Sequence, residues 1–271
     1  MKYSVLHKTI FKFDKVPLVA VQRLHLTPST YVNQYVMEWA IELEGCSIEL
    51  ETTDYHGNVI QLCRHDGRSN SIAINCRGLV DITDAHGIVG AHDNHVPLIL
   101  YKNATTLTQV GPKIRQLGRQ IVAQQQDGKS SDLELLHILS ARILSIISYE
   151  KGTTTVLTTA EQAMDAKSGV CQDHVHAFLA VARFIGFSAR YVSGYLMMDN
   201  TSIQEASHAW AEIYLENLGW VGFDISNSMS PDWRYIKLAT GFDYVDVMPI
   251  SGVRVGNGEE RMSTQIQVEQ Q

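Results

Sequence analysis

GVCQDHVHAFLAVARFIGFSARYVSGYL (169–196) is followed after a short gap by SHAWAEIYLENLGWVGFDISN (207–227). In the first segment Phe178, Leu179, Ala182 and Ile185 recur at helical spacing, and Gly186 suits the left-handed position that closes a helix. Cys171 therefore sits at a helix start, after the flexible Ser168-Gly169. Three strand-like runs follow: ARYVSGYLMM, HAWAEIYL and WVGFDI. A helix and then antiparallel strands, without βαβ alternation, is an α+β pattern.

The chemistry of these residue types points to a nucleophile. A thiol attacks as its thiolate, and a helix N-terminus favours an anion through its partial positive charge and free N–H groups. Those N–H groups, including that of Cys171, could also receive an oxyanion. An imidazole oriented by a third group is the second activating device. His208 opens one strand and Asp224 closes the next; 37 positions separate Cys171 from His208, and 16 separate His208 from Asp224. Strands pairing through Glu216-Asn217-Leu218-Gly219 lie roughly 5 Å apart and would bring the two side chains together. Direct opposition of His208 and Asp224 would centre that hairpin on residue 216.

Upstream, the chain has a different texture. VLHKTIFKF, VAVQRLHLTP, QYVMEWAIEL, CSIELETTDYHGNVIQLCRH and SIAINCRGLVDI are rich in β-branched and aromatic residues. Alternation is clear in Ile48, Leu50 and Thr52 and imperfect in Val5, Thr9, Phe11 and Phe13. Asp54-Tyr-His-Gly-Asn58 and Asp66-Gly67 are turn signals, so a β-sandwich is expected. After Pro97 helices take over. Pro112 opens KIRQLGRQIVAQQ. Ser131-Asp-Leu-Glu134 is a capping box before a helix carrying Leu133, Leu136, His137, Ser140, Ile143, Leu144 and Ile147 at helical spacing. Thr158-Thr-Ala-Glu161 reads as a second box. VRVGNGEERMSTQIQVEQQ reads as a terminal strand with a Gly256-Asn257-Gly258 turn, or as a polar tail.

Composition removes several function classes. The chain has 271 residues, 45% of them apolar and 19% charged, and a net charge of −7. No basic stripe offsets that charge, which argues against nucleic acid as a partner. No run of 18 apolar residues suggests a membrane span. Lys8, Lys12, Asp14 and Lys15 interrupt any signal-peptide core, so a cytoplasmic location is expected. Cys46, Cys63, Cys76 and Cys171 form no CxxC pair; the first three read as small buried hydrophobes.

Histidines raise a metal question. His174 and His176, with Asp173 and His208, invite a ligand set, but residues i and i+2 point about 200° apart on a helix. His176 is expected to pack or hydrogen-bond beneath the cleft, while His174 or Val175, one turn on from Cys171, lines it. His86, His92 and His95 lie in AHGIVGAHDNHVP, which reads as a solvated loop. No metal or other cofactor is expected. Trp210 and Trp220 on paired strands read as core. Glu212 shares a face with His208 and Trp210, where Arg183 or Arg190 could pair with it.

Gly-Val-Cys at a helix start, His-Ala-Trp-x-Glu on the first strand and Gly-Trp-x-x-Asp on the second resemble the transglutaminase-like superfamily. Arg23-Leu-His-Leu-Thr-Pro28, Asp54-Tyr-His-Gly-Asn58 and Gly241-Phe-Asp-Tyr-Val-Asp246 are similar to words of its bacterial branch, so the resemblance spans nearly the whole chain. It implies an N-terminal β-sandwich-like domain (1–102), a papain/transglutaminase-like core (103–250) and a C-terminal strand or tail (251–271). It also implies a Cys171–His208–Asp224 triad acting on a peptide or protein through a thioester. Hydrolysis of a peptide, isopeptide or glutamine amide leads; cross-linking or a non-catalytic binding module are the alternatives. His174, Trp210 and Tyr149 are the candidate substrate contacts, Tyr149 as a counterpart of the aromatic beside the oxyanion in animal transglutaminases. Ile225 and Ser188 stand where the family usually has Pro. No calcium loop is visible.

Overall fold

The computed structural model describes residues 1–125, 131–198, 203–204 and 206–271. Its N-terminal half is a pair of antiparallel sheets. In one, Lys2–Phe13 lies between Ser71–Ile82 and the C-terminal strand Glu260–Gln270; Gln34–Glu44 and Ile203–Gln204 form the edges. The other runs in the order Ile250–Val255, Val19–Leu24, Val59–His65, Cys46–Thr53. The inward face of Lys2–Phe13 is Tyr3, Val5, His7, Thr9, Phe11 and Phe13. Alternation was complete but masked, because two inward residues are polar. His7 satisfies its ring against Tyr195 Oη at 2.7 Å and Thr9 Oγ1 at 3.0 Å. Tyr3, Val5 and Phe11 pack with Ala20, Leu24 and Cys63 of the facing sheet, which is how two half-apolar sheets bury their inner faces. The sequence after residue 250 supplies one strand to each sheet, so the end of the chain is strand rather than loose tail.

The helices are α1 (Pro112–Gln125), α2 (Asp132–Ile146), α3 (Ala160–Ala166), α4 (Cys171–Phe184) and the short α5 (Tyr244–Val247). None among the described residues is long and apolar enough to cross a membrane. Behind α4 lies a sheet in the order Tyr235–Gly241, Ala189–Leu196, His208–Leu215, Gly219–Phe223, Ile88–Gly90. Ala209, Ala211, Ile213 and Leu215 face α4, against Val175, Phe178, Leu179 and Ala182. The Ser131–Glu134 capping box is present at α2. Its buried stripe is Leu135, Leu136, Leu139, Ser140 and Ile143; His137 lies at the margin with its ring on Phe223. At α3 the box sits one residue later than expected, as Thr159–Gln162. Glu161 is thereby freed to accept from the N–H groups of Lys113 and Ile114, capping α1 from another helix.

Two buried amides join the β-region to this core. Tyr235–Gly241 is an edge strand of the central sheet, with unpaired backbone groups that would otherwise be stranded. Asn58 donates through Nδ2 to the Thr240 carbonyl and accepts from its N–H, both at 2.8 Å. Gln34 makes the same paired contact with Lys237, at 2.9 and 2.8 Å. Each amide acts as a one-residue strand. Asn58→Ala is expected to destabilise the protein by about 2–4 kcal/mol, since two buried backbone groups lose their partners. Urea unfolding of the variant would measure this, and a change within error would show that water replaces the amide.

Candidate active site

The word Gly-Val-Cys has a steric explanation. Val170 is the N-cap of α4, and Asp173 folds back so that its Oδ2 accepts from the Val170 N–H at 2.8 Å and from Thr154 Oγ1 at 2.7 Å. That carboxylate crosses directly over Gly169, where an added Cβ would meet it at 2.7 Å. Burial raises the Asp173 pKa, while Val170 and Thr154 oppose the rise. The N–H groups of Asp173 and His174 go to the Val170 carbonyl. Cys171 and Gln172 carry the remaining N–H groups of a first turn that no helical ladder uses. Cys171, half-buried, sits at this positive end.

His208 Nε2 donates to Asp224 Oδ2 at 2.6 Å, and Cys171 is near enough to help raise the pKa of the same imidazole. With Nε2 committed to Asp224, Nδ1 is the nitrogen that remains for proton exchange with a thiol. The two strands pair with Leu215 opposite Gly219 and Ala211 opposite Phe223, which centres the hairpin on residue 217, not 216. Gly219 takes a left-handed φ of 75° and Leu218 N–H closes on Leu215, a type I turn plus bulge residue that moves the centre. Asp224 thus falls level with Trp210, diagonal to His208 and on the same face.

The carboxylate of Asp224 is saturated. Tyr235 Oη and Asn227 Nδ2 each donate to Oδ2 at 2.7 Å, and the Asn227 N–H reaches Oδ1 at 3.2 Å. Burial would raise its pKa, but His208 and these donors outweigh that and lower it. For His208, burial works to lower the pKa; Asp224 and Cys171 overcome it and raise it to about 10. A raised histidine pKa contributes stability that is complete below the unfolded value of about 6.5 and is lost as pH rises through the folded value. The stability advantage of the wild type over Asp224→Asn should therefore be largest between about pH 4 and 6.5, above the ordinary Asp range, and shrink towards pH 10, as read by urea unfolding across that range. A difference flat in pH would mean that the pair carries no net proton linkage.

The remaining expectations divide. His174 does not line the cleft: it is fully buried, accepting at Nδ1 from Ser226 Oγ at 2.8 Å and donating from Nε2 to the Ile147 carbonyl at 2.9 Å. It ties α4 to the loop after Asp224. Trp210 is buried, stacked near His208 and edge-on to Tyr235, and walls in the imidazole. Tyr149 is half exposed; burial, then the Cys171 and Asp224 charges, raise its pKa, which places it at the mouth of the site. His176 packs, buried against Tyr191, and accepts from the Tyr244 N–H. Among the described residues no three His, Cys, Asp or Glu side chains converge on a metal position.

The Gly-rich loop is less solvated than expected. His92 donates to the Val96 carbonyl at 2.7 Å and accepts from Trp220 Nε1 at 3.2 Å, pinning the loop to the sheet; His86 stays exposed. Of the two candidate partners for Glu212, Arg190 takes the role at 2.6 Å, joined by Lys237 at 3.2 Å. Arg183 serves carbonyls of Tyr101, Ala189 and Phe242 instead. Sequence reasoning missed Tyr235, Asn227, Tyr191 and Tyr244. Asn227 was within reach as an Asx residue three after Asp224. The tyrosines carried no local signal. Ile225, in place of the usual Pro, is fully buried, and Asp224 and Met229 close the turn by reciprocal backbone bonds.

A cysteine-headed helix packed on an antiparallel sheet, behind a β-rich N-terminal region, is the transglutaminase-like fold. Residues 119–225 match the family model of the transglutaminase-like superfamily, and residues 3–81 match that of the bacterial transglutaminase-like N-terminal region. The chain thus carries a transglutaminase-like core behind a bacterial transglutaminase-like N-terminal region. An uncharacterised protein of Mycobacterium tuberculosis is 27% identical over 95% of this chain and 89% of its own length. One of Mycobacterium leprae is 24% identical over 98% of each. The crystal structure of a proposed cysteine protease from Cytophaga hutchinsonii superimposes with a TM-score of 0.78 at 18% identity, covering 99% of this chain and 90% of that one. That similarity is one of fold.

Proposed function

We propose that the protein is a cysteine amide hydrolase acting on peptide, isopeptide or glutamine-side-chain bonds. The reading is carried by one observation: Cys171 at the head of α4 lies close enough to His208 to help raise the imidazole's pKa, while Nε2 of that ring is held at 2.6 Å by a buried, saturated carboxylate. Sulfur attacks the carboxamide carbon, and the N–H groups of Cys171 and Gln172 receive the oxyanion. The C–N bond breaks as His208 Nδ1 passes its proton to the leaving amine. Water, deprotonated by the same nitrogen, then opens the thioester to release the acid and free thiol. Asp224 stays ionised throughout, fixing the tautomer with Nε2–H.

Trapping tests this directly. Incubation with a peptide-amide library should leave an acyl adduct on Cys171, detected by mass spectrometry, and iodoacetamide should label Cys171 ahead of Cys46, Cys63 and Cys76. The latter three are buried or half-buried, and burial raises their thiol pKa values. Full turnover by Cys171→Ala would remove the mechanism.

A further inference from the structure

A cavity of about 150 Å³ opens where the β-region meets the core. Ser207, the residue before His208, lines one side, and Tyr244 of α5 lines another. Tyr244 packs against the same hydrophobic core as Cys171, and the Cys171 charge adds to burial in raising its pKa. One aromatic is thus shared between the cavity and the core on which Cys171 packs. The far wall comes from the N-terminal and C-terminal strands, as Thr9, Thr264, Met262 and Ile266. Among the described residues no Lys, Arg, Asp or Glu lines it. The polar groups there are already paired as neutral donors and acceptors, in a chain from Tyr195 through His7 and Thr9 to Thr264 with contacts of 2.7, 3.0 and 3.1 Å. Burial keeps His7 uncharged, its pKa lowered to about 4.

We infer that this cavity is a specificity subsite, which takes an uncharged substrate side chain flanking the scissile amide. The inference rests on the amide-hydrolase reading above. A void of roughly 150 Å³ holds a benzene-sized group, which corresponds to side chains of about four to six heavy atoms such as Leu or Met. A charged side chain would lose its hydration there without gaining a counter-charge. The β-region then does more than brace the core: its first strand, with the C-terminal one, chooses the substrate.

Tripeptidyl aminomethylcoumarin amides varied at each position in turn would test this. At one position Leu and Met are expected to exceed Lys, Arg, Asp and Glu by at least about tenfold in kcat/KM, as a modest pocket preference allows. Thr264→Glu should turn that position towards Lys and Arg, and Met262→Glu, on the exposed rim, should do so more weakly even if Thr264→Glu folds poorly. Cys171-dependent turnover with charged and neutral side chains accepted alike would overturn the subsite and leave the hydrolase reading standing. Absence of any Cys171-dependent turnover or adduct would overturn both.

Discussion

Replacing Asp224 with Asn is expected to lower turnover about 10⁴-fold, as loss of the correct imidazole tautomer does in an oriented triad. The site makes the reason specific. Asp224 Oδ2 receives three donors at once, from His208 Nε2, Tyr235 Oη and Asn227 Nδ2. An amide offers one acceptor oxygen and one donor nitrogen. Turned with its oxygen in the Oδ2 place, it keeps the three donors but loses the charge that holds the imidazolium and sets its nitrogen against the Asn227 N–H. Turned the other way, it meets all three donors, and His208 must reverse its tautomer. Nδ1 then carries the proton that should be accepted from the thiol. The backbone bonds between Asp224 and Met229 do not involve the side chain, so the loop should persist. The loss is therefore expected in kcat rather than KM. Iodoacetamide labelling of Cys171 should slow in parallel. Tyr235→Phe, which removes one of three donors, is expected to cost only about tenfold. Undiminished turnover in Asp224→Asn would show that His208 acts without an orienting acid.

What could be read beforehand follows from what is local. Cys171, His208 and Asp224 each stand at the end of an element with its own periodicity and turn chemistry, so the elements and their order were visible. Gly169 was legible as a word, although its cause, the Asp173 carboxylate folded across it, is three-dimensional. The hairpin register missed by one residue because Gly219 is a bulge position rather than the last residue of a symmetric turn. The error moves the opposing pair by two, which keeps both side chains on one face, so the pairing itself survived. A one-residue shift of the pair would have turned Asp224 away.

The misplaced residues are those whose role is set by a distant partner. His174 has the right spacing to face a cleft, but Ser226 and the Ile147 carbonyl claim both of its nitrogens. Gln34 and Lys237 meet across 203 positions of sequence, which no motif spans. The words Arg23-Leu-His and Asp54–Asn58 looked like family signatures without a reason. Their side chains supply it: Arg23 reaches the Val245 carbonyl, His25 the Met248 carbonyl, and Asn58 the edge strand at Thr240. They hold the segment that carries Tyr244.

The largest stability effect is expected from Glu212→Gln, at about 3–5 kcal/mol, because removing one partner of a buried ion cluster leaves uncompensated charge. Glu212, Arg190 and Lys237 are all buried, one carboxylate serving two cations. The cations have secondary partners: Arg190 lies 4.1 Å over the Trp220 ring and Lys237 4.1 Å over Tyr31. Quadrupole attraction of that kind offsets part of a charge and cannot neutralise it. Burial already lowers the Lys237 pKa, with Glu212 working against it and Arg190 reinforcing it. Without the carboxylate, Lys237 becomes the group that can give way, by losing its proton in the folded state. The unfolded chain would then hold the extra proton, so stability of the variant rises with pH up to the ordinary lysine range near 10.4. The deficit measured by urea unfolding should accordingly be smaller at pH 9.5 than at pH 7. Lys237→Met added to Glu212→Gln should recover part of the loss, since one of two stranded cations disappears while the backbone pairing with Gln34 is untouched. A double variant no more stable than Glu212→Gln alone would assign the cost to Arg190, whose guanidinium cannot shed its proton.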